Sequence, residues 1–176
     1  MDKVLKEWGS YIIIIVGVIF LRTYIITPVI VRGDSMDNTL KNGEYLFLSK
    51  ISYRIHEIKR FDIIVIEDKD DDLIIKRVIG LPGDNVEYKD NKLYINDKEV
   101  KDKYAIGTTN DFDLEEICDI NNDHCVSKIP KNMYLALGDN REVSADSRVK
   151  GLFTKDQILG KATLRIWPLN KIEIVN

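Results

Sequence analysis

A mainly antiparallel β domain behind one N-terminal apolar helix is the fold class this sequence predicts. Three observations point there. The first 31 residues contain the stretch "WGSYIIIIVGVIFLRTYIITPVIV", which is far more apolar than the rest of the chain. Behind it come short β-branched runs separated by polar turns, the pattern of hairpins rather than of amphipathic helices. The 176 residues suffice for one domain plus an anchor, and no repeat, long linker or second domain boundary interrupts them.

The apolar start is read as a membrane anchor over residues 6–27, preceded by a short cytoplasmic N-terminus, residues 1–5. A spanning helix needs about 20 residues. Residues 6–26 supply that length if Arg22 reaches back to the interface with its stem in lipid. Pro28 then ends the helix, and the residues that follow read as an emerging strand. A cleavable signal peptide would need a small-x-small site after the apolar core, and "TYIITPVIVRGDS" has none. A buried core helix is the alternative, but four consecutive isoleucines so near the N-terminus favour lipid. Lys3 and Lys6 before the helix and Arg22 and Arg32 after it leave the orientation balanced.

Residues 28–176 form the remaining domain. "EYLFLSKI" (44–51) reads as a strand. Phe61 to Glu67 and Leu73 to Ile79 form a hairpin around the polar turn "DKDDD". A second hairpin alternates Val86, Tyr88, Leu93 and Ile95 around "KDNK", with "ND" as the next turn. Residues 101–128 are polar and irregular, and 85–130 together are expected to make a smaller β lobe. "MYLALGDN" (133–140) is a strand ending at Gly138. In "TKDQILG", Thr154 is expected to cap a short helical turn that Gly160 closes. "KATLRIWPLNKIEIV" supplies the last one or two strands.

Charge and composition exclude several classes. The net charge is −3 with no basic stripe, which argues against nucleic acid as a partner. The acids from Glu67 to Asp72 lack the glycine and terminal glutamate of a calcium loop, so they read as a solvated loop tip. The two cysteines, Cys118 and Cys125, lie in "EICDINNDHCV". A disulfide closing that short loop is the first reading and would place the domain in an oxidising compartment. Two free thiols, or a metal site with His124, are the alternatives. No metal or other cofactor is expected, and the sequence carries no signal of oligomeric state.

The chemistry centres on "VRGDSMDNTL" (31–40), just past the apolar segment. A serine hydroxyl is a weak nucleophile and needs a base. A G-x-S-x-G elbow fails because Asp37 stands where its last glycine should be. A GDSL-type esterase would need a late D-x-x-H, but Tyr53 and Asn121 precede His56 and His124 at that spacing. Ser35 has Asn38, not a lysine, three residues on, which removes an S-x-x-K dyad for it. What remains is Ser35 with a distant lysine. Lys76, in "LIIKRVIG", shares its strand face with Ile74 and Val78. Burial there would lower its proton affinity. Bringing a lysine from about 10.4 to the 7–8 of a working base costs roughly 4 kcal/mol. The competing reading is a solvent-facing Lys76 beside Arg77 on an edge strand.

Three blocks, "SMDNTL" (35–40), "KRVIGLPGD" (76–84) and "GDNREVSADSR" (138–148), occur in that order, followed by "GLFTKDQILGKATLRIWP" (151–168). Together they resemble the bacterial type I signal peptidases, the Ser/Lys proteases that remove signal peptides from exported proteins, in their short, Gram-positive-like form. The resemblance covers nearly the whole chain. It implies an antiparallel β fold shared with self-cleaving repressors, a catalytic lobe with a smaller inserted lobe, and no cofactor. It implies Ser35 as nucleophile, Lys76 as general base and Ser144 as the residue that orients Lys76. It also implies Asp146 and Arg148 as a nearby ion pair, Asp139, Asn140 and Arg141 as holders of the backbone, and Met36 as a lining residue. The Ser35 backbone N–H would bind the oxyanion, since Gly33 stands where some relatives have a helping serine. The partners implied are signal peptides with small residues at −1 and −3 and the lipid bilayer, with the domain outside the cytoplasmic membrane. Shallow apolar pockets are expected near Val29 to Val31 and Ile74 to Val78. One departure stands out: the family's S-M-x-P-T-L has Asn38 in place of its proline. Asparagine is also a good turn residue, so activity is expected to survive. The departure also fits a divergent paralogue with narrower substrates, or an inactive tethered module, against which intact Ser35, Lys76 and Ser144 argue. A self-cleaving repressor would carry a DNA-binding domain where this chain has its apolar helix.

Overall fold

The computed structural model describes residues 2–69, 71–119 and 127–175. Helix α1 spans Asp2–Tyr24 and passes almost directly into strand β1 (Ile26–Ile30). The helix therefore ends short of residue 27. Ile26 and Thr27 already pair with Ser49 and Leu48 of β2 (Tyr45–Ser49). The Thr27 hydroxyl also donates to the Arg22 carbonyl, closing the helix end. Among the described residues no helix is long and apolar enough to cross a membrane. The described side chains of α1 are still unusual, since Ile12, Ile13, Ile14 and Ile15 point to different sides and are all more than half exposed.

A short helix α2 (Ser52–Ile55) leads to β3 (Ile63–Glu67) and β4 (Leu73–Gly80), the expected first hairpin. The turn between them differs from a solvated tip at one residue. Asp68 is buried, accepts the Asp72 N–H, and pairs with Lys150 at 2.6 Å. Strands β5 (Val86–Lys89), β6 (Lys92–Ile95) and β7 (Lys98–Val100) form a separate three-stranded antiparallel sheet. Its two turns each place a pair of residues at positive φ, Asp90 with Asn91 and Asn96 with Asp97. Asn and Asp tolerate that region, and two-residue hairpins require it.

The irregular stretch holds one element the sequence reading lacked. Helix α3 (Leu114–Asp119) buries Leu114 and Ile117, three apart on one face, with acids in its first turn. Cys125 and His124 lie outside the described residues, as does the side chain of Cys118, so the expected bridge falls there.

The chain closes with β8 (Met133–Leu137), α4 (Ser147–Lys150), β9 (Phe153–Thr154), β10 (Ile158–Trp167) and β11 (Glu173–Ile174). Thr154 does cap a turn, a 3₁₀ helix over Lys155–Gln157, with Gln157 completing the capping box. Gly160 does not close that turn. It lies within β10, where a Cβ would run into the Ser49 carbonyl of the neighbouring strand.

The large sheet runs β1-β2-β10-β3-β4-β8-β9, with β11 added beside β10. Every strand pair in it is antiparallel. Register shifts along β10 against β2 and β3 let it bend. Three apolar clusters fill the interior. One joins the small sheet to the large through Val86, Leu93, Ile79 and Leu135. The second gathers Val31, Met36, Leu40, Leu46 and Ile63, and the third Ile64, Val78, Ala136 and Phe153. Strand β4 is thus a central strand with neighbours on both sides, which sets the environment of Lys76.

Candidate active site

Ser35 lies between β1 and β2 in a loop that folds by its own turns. The Asp37 N–H bonds back to the Asp34 carbonyl, and the Thr39 and Leu40 N–H groups both reach Met36. Gly33 starts the loop at φ 76, a region most side chains avoid. The Asn140 N–H donates to the Ser35 carbonyl at 3.0 Å, so the serine's backbone is fixed from the 138–148 segment. Among the described residues no hydrogen bond occupies the Ser35 N–H.

Lys76 is only 3% exposed, on the face of β4 that also carries Ile74 and Val78. Its Nζ lies 2.8 Å from Ser35 Oγ. Burial disfavours the ammonium and brings its pKa from 10.5 down to about 8. Asp146 and Asp139 pull it up again, while Lys150 and Arg148 push it further down. The solvent-facing alternative for Lys76 is therefore corrected: its side chain is buried, and β4 is not an edge strand.

The other anticipated residues gather around this pair. Ser144 is buried, but its Oγ has no hydrogen-bond partner, so the bond expected to Lys76 is not made. Instead it crowds Gly138, where a Cβ would collide with Ser144 Oγ and lie 2.5 Å from the Ser35 carbonyl. Ser144 also borders an open cavity of about 510 Å³ shared with Arg141, Glu142 and Arg148. Asp146 is fully buried. It caps α4 through the Arg148 N–H, grips the Arg148 guanidinium at 2.9 Å and accepts the Gly138 N–H. Arg148 in turn donates to the Arg141 carbonyl. Met36 is 1% exposed and sits in the second core cluster, so its side chain packs beneath the loop rather than facing a groove. The half-buried Val29 and Ile75 pack against that same cluster.

Several pairings around the site escaped the sequence reading. Arg77 and Asp139 form a bidentate pair with both side chains at 0% exposure. The Thr39 hydroxyl donates to Asp139, and Arg77 also reaches the Phe61 carbonyl. The Tyr104 ring covers the Arg77 guanidinium at 3.6 Å. Arg141 is held by Asp102 at 2.5 Å and by the Tyr88 hydroxyl, which ties the small sheet to the 138–148 segment. Asp139 and Arg141 were named by their sequence block, but their partners Arg77, Tyr104, Asp102 and Tyr88 were not.

A serine and a buried, partly deprotonated lysine within one hydrogen bond can carry nucleophilic chemistry without metal. The family signature described as "Signal peptidase, peptidase S26" matches residues 5–167. The chain belongs to the signal peptidase family, peptidase S26. It is 39% identical to signal peptidase IB of Staphylococcus aureus, over 98% of this chain and 95% of that protein. It is also 39% identical to signal peptidase I S of Bacillus subtilis, over 99% and 95%. A crystal structure of a signal peptidase I from Enterococcus faecalis matches with a TM-score of 0.53 and 34% identity, covering 61% of this chain and 98% of that one. This signal peptidase is thus a serine peptidase that removes signal peptides from exported precursors.

Proposed function

We propose that this chain cleaves signal peptides after small residues with Ser35 as nucleophile and Lys76 as general base. The observation that carries the reading is the 2.8 Å approach of Lys76 Nζ to Ser35 Oγ at a site where the lysine is buried. Neutral Lys76 takes the Ser35 proton as Oγ attacks the scissile carbonyl. The free Ser35 N–H is placed to bind the oxyanion that forms. The carbonyl then re-forms, the peptide C–N bond breaks, and the leaving amine takes the proton from Lys76. Water, deprotonated by the same lysine, hydrolyses the acyl-enzyme and regenerates Ser35. Asp146 and Arg148 hold the Gly138 end of the site and do not touch the reacting atoms. Val29 and Ile75 are the candidates for the shallow apolar wall that small side chains would meet.

The anchor belongs to the same proposal. Every residue of α1 from Tyr11 to Ile19 is uncharged and exposed, an all-round apolar surface with no stable place in water, and the isoleucine run fits lipid. Residues 6–24 would then hold the domain, residues 28–176, at the outer face of the cytoplasmic membrane. Ser35 would wait just past the enzyme's own anchor, the depth at which a signal peptide presents its cleavage site.

The deciding experiment incubates a precursor bearing an A-x-A site, in detergent, with the wild-type chain and with Ser35→Ala. Cleavage by wild type alone is expected. Equal processing by the alanine variant would remove Ser35 from the chemistry. The pH profile supplies a second check. The base works only when neutral, and a pKa of about 8 leaves most of it protonated at pH 7. The rate on the precursor should therefore climb as pH rises through about 8 and level off above it. A profile already flat from pH 6 upward would contradict Lys76 as the base.

A further inference from the structure

The residue at the family's proline position is not a passive replacement. Asn38 holds φ 93. Proline is locked near −65° and cannot take that conformation, whereas asparagine is among the few side chains that enter the left-handed region readily. Its backbone N–H donates to Asp37 Oδ1 at 2.7 Å, and its side-chain amide donates to the Tyr104 carbonyl at 3.4 Å. The Arg77 guanidinium in turn sits over the Tyr104 ring, 3.6 Å from its centre, with Lys103 over the same ring. Asn38 follows Ser35 by three residues and Arg77 follows Lys76 by one. Two residues later the same loop is fixed from the other side. The Ile106 N–H donates to the Asp139 carbonyl, and the Arg141 N–H donates to the Ile106 carbonyl.

We infer that Asn38 and Tyr104 form a clamp that registers the Ser35 turn against the Lys76 strand, Asn38 acting as a positioning residue. The inference rests on Ser35 and Lys76 being the reacting pair. β1 and β4 share no backbone pairing, so beyond the Asn140 N–H bond to the Ser35 carbonyl the separation of nucleophile and base depends on side-chain links between their segments. One link is buried, from Thr39 through Asp139 to Arg77. The outer link is Asn38 to Tyr104 to Arg77. A misplacement of about 1 Å between reacting groups costs up to roughly a hundredfold in rate, so a modest bond here has leverage on turnover.

The test compares kcat, KM and melting temperature for the wild-type full chain, Asn38→Asp, Asn38→Gly and Tyr104→Ala on the precursor, with Ser35→Ala alongside. Asn38→Asp keeps the shape and the tolerance of positive φ but sets an acceptor against the Tyr104 carbonyl. Asn38→Gly keeps the backbone conformation and deletes the amide. Both are expected to lose about tenfold in kcat at unchanged KM and unchanged melting, a loss of the size one misaligned contact produces. Tyr104→Ala should lose at least as much. Wild-type kcat in Asn38→Asp and Asn38→Gly, with Ser35→Ala inactive, overturns the clamp and leaves the dyad standing. A loss confined to KM overturns it too, because it marks Asn38 as a substrate contact. Undiminished cleavage by Ser35→Ala would instead remove the dyad, and the clamp with it.

Discussion

Lys76→Met will give a folded chain that does not cleave precursors. The fold should tolerate the change because the lysine stem already runs along Ile74 and Val78 in the third apolar cluster. Methionine fills a similar volume, and swaps of that kind usually cost under about 1.5 kcal/mol. The amine leaves behind one partner, Ser35 Oγ, which is half-buried and can turn to water. The chemistry should not tolerate it. Removing one member of a nucleophile–base pair costs on the order of 10⁴ to 10⁶ in rate. Denaturant unfolding of the full chain in detergent, together with precursor processing over hours, separates the two effects. A Met variant with a wild-type unfolding midpoint and measurable turnover would mean that another group takes the Ser35 proton.

Asp139→Ala should be the most destabilising single change near the site. Arg77 and Asp139 are each shut off from water, and Asp139 supplies both oxygens of the bidentate pair. Without it Arg77 retains the Phe61 carbonyl, the Thr39 hydroxyl and the Tyr104 ring, none of them charged. An uncompensated buried charge costs about 3–5 kcal/mol, a large share of the 5–15 that holds a typical domain. The denaturant midpoint should fall accordingly. Replacing both partners, Arg77→Met with Asp139→Leu, should recover much of the loss, because an apolar pair leaves no charge stranded. A loss under about 1 kcal/mol for Asp139→Ala would show that water or a neighbour reaches the guanidinium, contrary to its burial.

What the sequence disclosed was local. The β3–β4 hairpin was legible because two β-branched runs flank a polar turn, and β5–β6 because apolar residues alternate about "KDNK". Lys76 stood out as a charge inside such a run. Whether β4 lay at an edge or in the middle was not legible, since β8, its second neighbour, comes from more than fifty residues downstream. Separations of 62 and 39 residues likewise hid Asp139 from Arg77 and Asp102 from Arg141. Met36 was assigned a lining role by motif alone, and its apolar side chain went to the core as composition would suggest. Asn38 looked like an ordinary turn residue because a letter does not state its φ. Helix α3 was overlooked because six residues with two apolar positions give almost no periodic signal.

Strand order also fixes when the two halves of the proposed site can meet. The hairpin β1–β2 carries the nucleophile's loop and the hairpin β3–β4 carries the lysine, yet the two do not pair. They are joined edge to edge only by β10, which begins at Ile158. A ribosome therefore makes residues 1–157 before the strand that brings the two hairpins together exists. Until then Ser35 and Lys76 sit on separate pieces of sheet, and the pair proposed to do the cutting is not assembled. The strand that brings the proposed pair together, β10, thus follows every other strand of the large sheet except the short β11.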